Sequence, residues 1–178
     1  MKYIALLRGI NVGGNNKVEM KKLKGVFESL GFTHVSTYIN SGNVIFETQR
    51  QDRINLIHEI EKELETRVGL PLRIVLRDEE NIRMLCDRIP EAWKNDEEEK
   101  TDILFLWDEV DRKESVDELR LNPTVDVVRY FPGAIVWHIE RKYYAKSGMN
   151  TFIGSHLYKN MTARNINTLR KLNTLLSG

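Results

Sequence analysis

The chain has 178 residues, with 27 Lys and Arg against 26 Asp and Glu, and a single cysteine, Cys86. This near-balance excludes a global electrostatic attraction to nucleic acid or to an anionic membrane, so any such binding requires a local patch. One cysteine excludes an intramolecular disulfide, and no Cys and His spacing matches a structural zinc site. Charged residues make up 30% of the chain and hydrophobic residues 41%, as in an ordinary globular protein.

From the N-terminal segment we expect no targeting signal. Its apolar run ends at Arg8, which is too short for a signal peptide. No stretch approaches the roughly 18 apolar residues that a transmembrane helix requires. We therefore expect a cytoplasmic protein without a membrane partner.

The first predicted elements are a strand, a glycine-rich loop and a helix. Residues 2–7 are apolar on both faces of a strand, and residues 8–16 form a loop by their Gly and Asn content. Asn16 and Glu19 have the spacing of a variant capping box, and Gly31 supplies a left-handed stop. Apolar residues recur between them at helical spacing: Met20, Leu23, Phe27 and Leu30.

The next elements complete a ferredoxin-like order. Alternation before and after Ser41-Gly42 predicts a β-hairpin. Asp52 is the expected N-cap of a second helix that Gly69 closes, and residues 72–77 read as a strand. The order βαββαβ over residues 1–77 predicts an α+β fold with a four-stranded antiparallel sheet and two helices on one face.

Residues 78–100 are predicted to be a helix followed by a connector. Asp78 is the expected cap, and Pro90 ends the apolar periodicity. The acidic run at 95–100 is interpreted as a solvated linker, because blocks of like charge usually stay in water.

Residues 101–178 form the second predicted α+β half. A strand at 101–107 precedes a short helix capped by Asp111 and Glu114, and a hairpin turns at Pro132-Gly133. Thr162 is the expected cap of a C-terminal helix. The order βαββ repeats the first half, so a duplication of architecture is one interpretation, although residue-level similarity between the halves is not evident.

Three motifs carry a family resemblance: 5–14 (ALLRGINVGG), 38–44 (YINSGNV) and 162–168 (TARNINT). They resemble the bacterial domain of unknown function 1697 family along essentially the whole chain. The resemblance implies an α+β fold of ferredoxin-like character and no established activity. The family usually carries Trp where this chain has Ile166, which alters a site if that Trp contacts a ligand and is a tolerable swap if it lies in a core.

The first candidate site is the loop from Arg8 to Lys17. Its Gly9 and Gly14 match the GxxxxG half of a phosphate-binding loop, but the Lys and Ser/Thr that should follow are absent, which argues against ATP hydrolysis of that kind. Backbone N–H groups at Asn11, Gly13 and Gly14, flanked by the two cations, suit a phosphate or carboxylate. The alternative is a tight turn whose residues have special backbone angles.

Two further segments carry polar candidates. Asn40, Ser41 and Asn43 lie at the hairpin tip, where they are either ligand-binding groups or ordinary turn formers. At the last helix, three residues stand where they could contact an anion or complete the helix cap: Arg164, Asn165 and Asn167.

One sheet face is a candidate surface for single-stranded nucleic acid. Alternation assigns Tyr3, Tyr38, Arg73 and Arg77 to the face away from the helices. The alternative is that the second half packs on this face, since apolar residues are otherwise exposed there. The aromatic signature of ribonucleoprotein domains is absent.

Two hypotheses follow. The first is a small-anion or phosphorylated-ligand binding module, or an unassigned enzyme, whose site gathers the three polar segments. The second is a non-catalytic protein or single-stranded nucleic-acid interaction module that uses an open sheet face or edge. No cofactor, metal site or catalytic dyad is predicted, because the four histidines are scattered and Cys86 lies among apolar helix residues. The oligomeric state is not predicted.

Overall fold

A computed structural model describes all 178 residues, and the chain divides into two compact units. Unit 1 comprises Met1–Glu80 together with Leu175–Gly178, and unit 2 comprises Asn81–Thr174. Each unit contains one four-stranded antiparallel sheet and helices, so the α+β prediction is confirmed. The predicted three-segment division at 77 and 100 stays a prediction. No helix combines the length and apolarity needed to cross a membrane.

Unit 1 has the predicted ferredoxin-like topology. Its strand order is β2-β3-β1-β4, with every neighbouring pair antiparallel. The elements are β1 (Lys2–Leu7), α1 (Met20–Ser29), β2 (Thr33–Tyr38), β3 (Asn43–Glu47), α2 (Arg53–Val68) and β4 (Ile74–Asp78).

The core of unit 1 follows from strand alternation. Tyr3, Ala5 and Leu7 of β1 are buried in one cluster with Phe27 of α1 and Leu64 of α2. The intervening β1 residues are buried as well, which explains why this strand is apolar on both faces.

The two helices of unit 1 begin differently. Asp52 caps α2 as predicted, because its carboxylate accepts the Asn55 N–H at 3.1 Å. The predicted capping box of α1 is wrong, because Glu19 makes no side-chain cap and Asn16 donates instead to the Gly9 carbonyl at 3.0 Å. Helix α1 therefore starts without a side-chain cap.

Unit 2 contains the second sheet, in the order β6-β7-β5-β8. A helix, α3 (Glu79–Arg88), leads into it. Its other elements are β5 (Glu99–Leu106), β6 (Val127–Phe131), β7 (Ala134–Glu140), α4 (His156–Lys159), β8 (Met161–Asn165) and α5 (Ile166–Ser177), the last of which ends within unit 1. Four 3-10 helices fill the connections: Asp108–Val110, Lys113–Leu119, Arg141–Lys146 and Gly148–Asn150.

Two local predictions in unit 2 are wrong, and one boundary is shifted. Strand β5 begins at Glu99, ahead of the predicted start at residue 101, and the Asp96 carboxylate accepts the Glu98 and Glu99 N–H groups in a turn before it. Asp111 caps no helix, because its carboxylate accepts from the Gly133 N–H at 2.8 Å. Thr162 lies in β8 rather than at a helix start.

The two sheets share one strand order as well as one element order. Leu7 at the end of β1 donates its N–H to the carbonyl of Gly42 in the hairpin turn, at 2.8 Å. Leu106 at the end of β5 donates in the same way to Gly133, at 3.0 Å. The hairpin-turn glycines have φ of 80° and 90°. These matching contacts support the duplication at the level of backbone position.

A matching pair of arginines extends this correspondence. Arg77 is the fourth residue of β4 and pairs with Ile4 of the first strand. Arg164 is the fourth residue of β8 and pairs with Ile103 of β5. Both arginines are buried, and each donates to the carbonyl of the residue before it. The repeat is therefore visible in register, although the amino-acid sequences of the halves have diverged.

Candidate functional site

The connection from β1 to α1 is an exposed loop with an unusual backbone. Five of its residues have positive φ: Gly9, Asn11, Gly13, Gly14 and Asn16. Glycine and asparagine tolerate this left-handed region better than other residues, which explains the composition of the motif. The space where a Cβ would stand on Gly13 or Gly14 is open to beyond 4 Å. These two glycines are therefore needed for backbone conformation and not for close packing.

Asn11 joins this loop to the hairpin turn. Its Nδ2 donates to the Asn40 carbonyl at 2.9 Å and to the Val18 carbonyl at 3.0 Å, and its Oδ1 accepts the Val18 N–H at 2.9 Å. The side-chain amide is thus used by the protein itself. Two of the three polar segments predicted to form the site therefore meet within unit 1, and Asn11 positions them.

The hairpin turn packs tightly beneath the loop. A Cβ on Gly42 would lie 2.7 Å from the Ile10 Cδ1 and 2.9 Å from the Leu7 Cβ, so the turn has no room for a side chain there. Asn43 is fully buried, and its Nδ2 donates to the Tyr38 carbonyl at 2.8 Å and to the Ser41 Oγ at 3.1 Å. These bonds make Asn43 a turn-forming residue, the second of the two roles that its sequence position suggested.

A cleft of about 640 Å³ lies between the loop, the turn and the start of α1. It has the size of small-ligand sites. Its lining residues are Asn11, Gly14, Lys17, Val18, Glu19, Met20 and Asn40. Four of them were predicted site residues, whereas Val18, Glu19 and Met20 were assigned only to the helix and its approach. Their part in the cleft follows from the loop folding back onto the helix start, which no sequence pattern indicated.

Unpaired backbone N–H groups at this cleft favour an anionic ligand. Gly14 lines the cleft and Gly13 precedes it in the loop; both are exposed and donate no backbone hydrogen bond within the chain. Helix α1 has no side-chain cap and no acidic residue in its first turn, and its first backbone bond is donated by Leu23. The N–H groups before Leu23 therefore carry the partial positive charge of a free helix N-terminus.

Arg8 occupies a different position from the one predicted. Its side chain is half-buried, its N–H donates to the Arg73 carbonyl at 3.2 Å, and it is not among the lining residues of the cleft. Lys17 is the cation that lines the cleft.

The third predicted segment lies in unit 2. Arg164 is buried and donates to the Thr162 Oγ1 at 3.0 Å, and burial lowers the pKa of its guanidinium to about 10. Asn165 caps α5, since its Oδ1 accepts the Thr168 N–H at 2.9 Å. Asn167 is exposed and donates to the Asn95 carbonyl at 2.9 Å. Each side chain thus has an internal contact.

The predicted tyrosine and arginine face is wrong at Tyr3. Tyr3 is buried in the helix-facing core, where its ring stacks on Phe46 at 5.8 Å. Arg77 pairs with Ile4 and so lies on the opposite face, where it is 6% exposed. The alternation was assigned in the wrong phase for one strand, because β1 is apolar throughout and its sequence does not distinguish its faces.

The cysteine and a histidine that could act as nucleophile or base are packed within the fold. Burial raises the pKa of the Cys86 thiol to about 11. His138 contacts the Thr101 Oγ1 at 2.9 Å and stacks on Trp93, and burial lowers the pKa of its imidazole. No group of three or more His, Cys, Asp or Glu side chains is arranged to hold a metal ion.

Comparison with known proteins identifies the family. A family model described as a protein of unknown function (DUF1697) matches residues 1–137. The chain belongs to this family. No curated protein matches it. Its structure is similar to that of the conserved bacterial protein SP0830 from Streptococcus pneumoniae, with a TM-score of 0.84, 28% identity and coverage of 98% of each chain. Neither description states an activity.

Two of the three family motifs contribute residues to the cleft, and the third does not. The motifs at 5–14 and 38–44 lie inside the matched residues and contribute Asn11, Gly14 and Asn40 to the cleft in unit 1. The motif at 162–168 lies outside the match and in unit 2. Ile166 is fully buried, as a packing residue is. The substitution for the family's usual Trp therefore lies at a buried position.

Proposed function

We propose that the cleft of unit 1 binds a small anionic ligand, with phosphorylated metabolites the leading class. The observation that supports this most directly is the grouping of donors in the lining: the exposed N–H group of Gly14, with Gly13 next to it in the loop, the Lys17 ammonium and the uncapped start of α1. Helix N-termini preceded by glycine loops favour anions because their unpaired N–H groups point outward.

The corresponding connection of unit 2 supports the proposal by contrast. After β5 the chain turns inward, so that Trp107 is 5% exposed and Val110 is fully buried. The Asp111 carboxylate bonds the hairpin turn directly. The connection in unit 1 instead stays exposed around its glycines. One half of the repeat thus closes this position with its own side chains, and the other leaves space for a ligand.

The proposal is tested by thermal shift with the full chain at fixed low salt. The panel contains inorganic phosphate, phosphorylated metabolites, nucleotides and carboxylates. A ligand at about 100 times its dissociation constant adds roughly 2.7 kcal/mol, which raises the Tm by several degrees for a chain of this size. We expect Lys17→Gln to remove most of the shift by removing the one cation of the cleft.

Lys62→Gln is the matched control, because Lys62 is an exposed lysine on α2 outside the cleft. It should keep the wild-type shift. A panel in which no anion raises the Tm contradicts the proposal and directs attention to a macromolecular partner. Equal loss in both lysine variants would show a non-specific charge effect and contradict it as well.

A further inference from the structure

The cleft contains two opposite charges that do not pair. Lys17 and Glu19 both line it, both are exposed, and neither forms an ion pair or side-chain hydrogen bond within the chain. Val18 between them is buried, which sends its two neighbours to the same side of the extended segment. A ligand in this cleft therefore meets a cation and a carboxylate together.

Glu19 stands where a helix-capping residue would stand. It has the extended backbone of an N-cap, with φ −70° and ψ 133°, but its carboxylate accepts no N–H from α1. The carboxylate is thus an acceptor that the helix does not use. It repels a bare anion held at Gly13, Gly14 and Lys17, so a ligand gains most when it carries hydrogen-bond donors beside its anionic group.

We infer that the ligand is a phosphorylated sugar, either free or as the sugar-phosphate part of a nucleotide; this assignment rests on the proposed function of the cleft. The phosphate takes the N–H groups of Gly13 and Gly14 and the Lys17 ammonium. The sugar hydroxyls donate to Glu19. Asn40, whose side-chain amide is exposed and has no partner within the chain, offers one more donor and acceptor for a hydroxyl.

The apolar part of the cleft suits the same class. Met20 is half-buried, Val18 is buried in the core, and both are among the lining residues of the cleft, so the lining has a non-polar part. Sugar rings present C–H faces as well as hydroxyl edges. A lining of this kind with convergent polar groups is typical of small-molecule sites.

Titration calorimetry of the full chain tests the assignment with four probes: inorganic phosphate, ribose 5-phosphate, adenosine 5′-monophosphate and O-phosphoserine. We expect ribose 5-phosphate to bind about tenfold tighter than phosphate, the gain of roughly one charge-assisted hydrogen bond. Glu19→Gln should weaken ribose 5-phosphate about tenfold and leave phosphate binding unchanged or tighter, since repulsion is removed. Lys17→Gln should weaken both.

The outcomes separate the two proposals. If phosphate binds and ribose 5-phosphate gains nothing, or if Glu19→Gln changes both alike, the sugar assignment is overturned and the anion site stands. Tighter binding of O-phosphoserine than of either sugar phosphate also overturns it, in favour of an amine donor. If no probe binds, both proposals fail. Adenosine monophosphate that is tighter than ribose 5-phosphate identifies a nucleotide, and the reverse identifies the free sugar. Amide shifts at Gly13 and Gly14 locate the phosphate independently of the variants.

Discussion

At the scale of single residues, the polar side chains of the polar segments and of the approach to α1 divide between those bonded within the fold and those without a partner. Asn11, Asn43 and Asn165 each bond the backbone of a neighbouring segment. Lys17 and Glu19 have no such partner. The sequence marked these positions as polar loop or cap residues, but only the bonding partners distinguish a residue that builds a site from one that faces a ligand.

Asp126 is the largest residue-scale feature that the sequence did not indicate. It is 8% exposed, and its carboxylate accepts from the Trp137 Nε1 at 2.9 Å, the Ser147 hydroxyl, the Gly148 N–H at 2.9 Å and the Asn122 N–H at 2.8 Å. Burial alone raises the pKa of this carboxyl, but the four hydrogen bonds outweigh burial and hold its pKa below the ordinary value.

Asp126→Asn should destabilise unit 2 by roughly 1–3 kcal/mol, because its new NH₂ group faces donors instead of accepting from them. The lowered pKa means that the stabilisation is present above pH of about 4 and is lost as the pH falls through the folded-state pKa. The difference between variant and wild type should therefore shrink in acid. Urea unfolding at a series of pH values from neutral into acid measures it.

Tryptophan fluorescence is a suitable signal for that experiment, since all three tryptophans, Trp93, Trp107 and Trp137, lie in unit 2. Asp87→Asn is the control, because Asp87 is exposed on α3 and its side chain forms no hydrogen bond or ion pair within the chain. Its effect should stay within about 0.5 kcal/mol. A difference that is constant from neutral to acid pH would show that the ionised form of Asp126 contributes nothing.

At the scale of elements, the two halves use one arrangement, in which the end of the first strand bonds the hairpin turn between the second and third. The close approach of β1 and the β2–β3 turn requires glycine at position 42, where φ is +80° and a Cβ would overlap Ile10 and Leu7. The same approach brings the hairpin turn against the loop at the cleft.

Gly42→Ala should therefore destabilise unit 1 both by backbone strain at positive φ and by overlap of the new Cβ with its neighbours. Gly31→Ala measures the backbone strain alone, because Gly31 has the same φ of +80° but open space around its Cβ position. We expect roughly 1 kcal/mol for the control and about 1–3 kcal/mol more for Gly42→Ala. Amide hydrogen exchange in β1 and β3 measures the loss. Equal losses would mean that the turn relaxes without strain.

At the scale of the whole molecule, the last residues of the chain belong with its first ones. The final turn of α5 counts with unit 1, where the Lys2 Nζ donates to the Leu176 carbonyl at 2.7 Å and the Leu176 side chain is fully buried. A C-terminal segment therefore completes the N-terminal unit.

Leu176→Ala should cost roughly 2–5 kcal/mol, since it leaves a cavity at a buried position. Leu175→Ala is the neighbouring control, because that side chain is 39% exposed, and it should cost less than about 0.5 kcal/mol. Amide exchange in β1 and β4 reports the stability of unit 1. Equal exchange rates in the two variants would show that the buried leucine does not stabilise this unit.

The sequence predicted the βαββαβ order, the two hairpins, the α2 caps and the family, because these depend on alternation, helical period and glycine at left-handed positions. It failed at Asn16, Asp111 and Thr162, where a capping pattern was matched but the side chain or the strand had a distant partner. The assignment of β1 residues to the two faces of the sheet was also wrong, because a strand that is apolar on both faces does not show which face meets the helices.

By itself, then, the sequence determined the kinds of element, their order and the polar segments that deserve study. Only the tertiary structure decided that the loop after β1 and the hairpin turn share one cleft, that Glu19 lines it and that Arg8 does not. The side-chain contact that joins the loop to the turn, from Asn11 to Asn40, spans 29 positions. Such contacts depend on strand register and loop packing, which local periodicity does not encode.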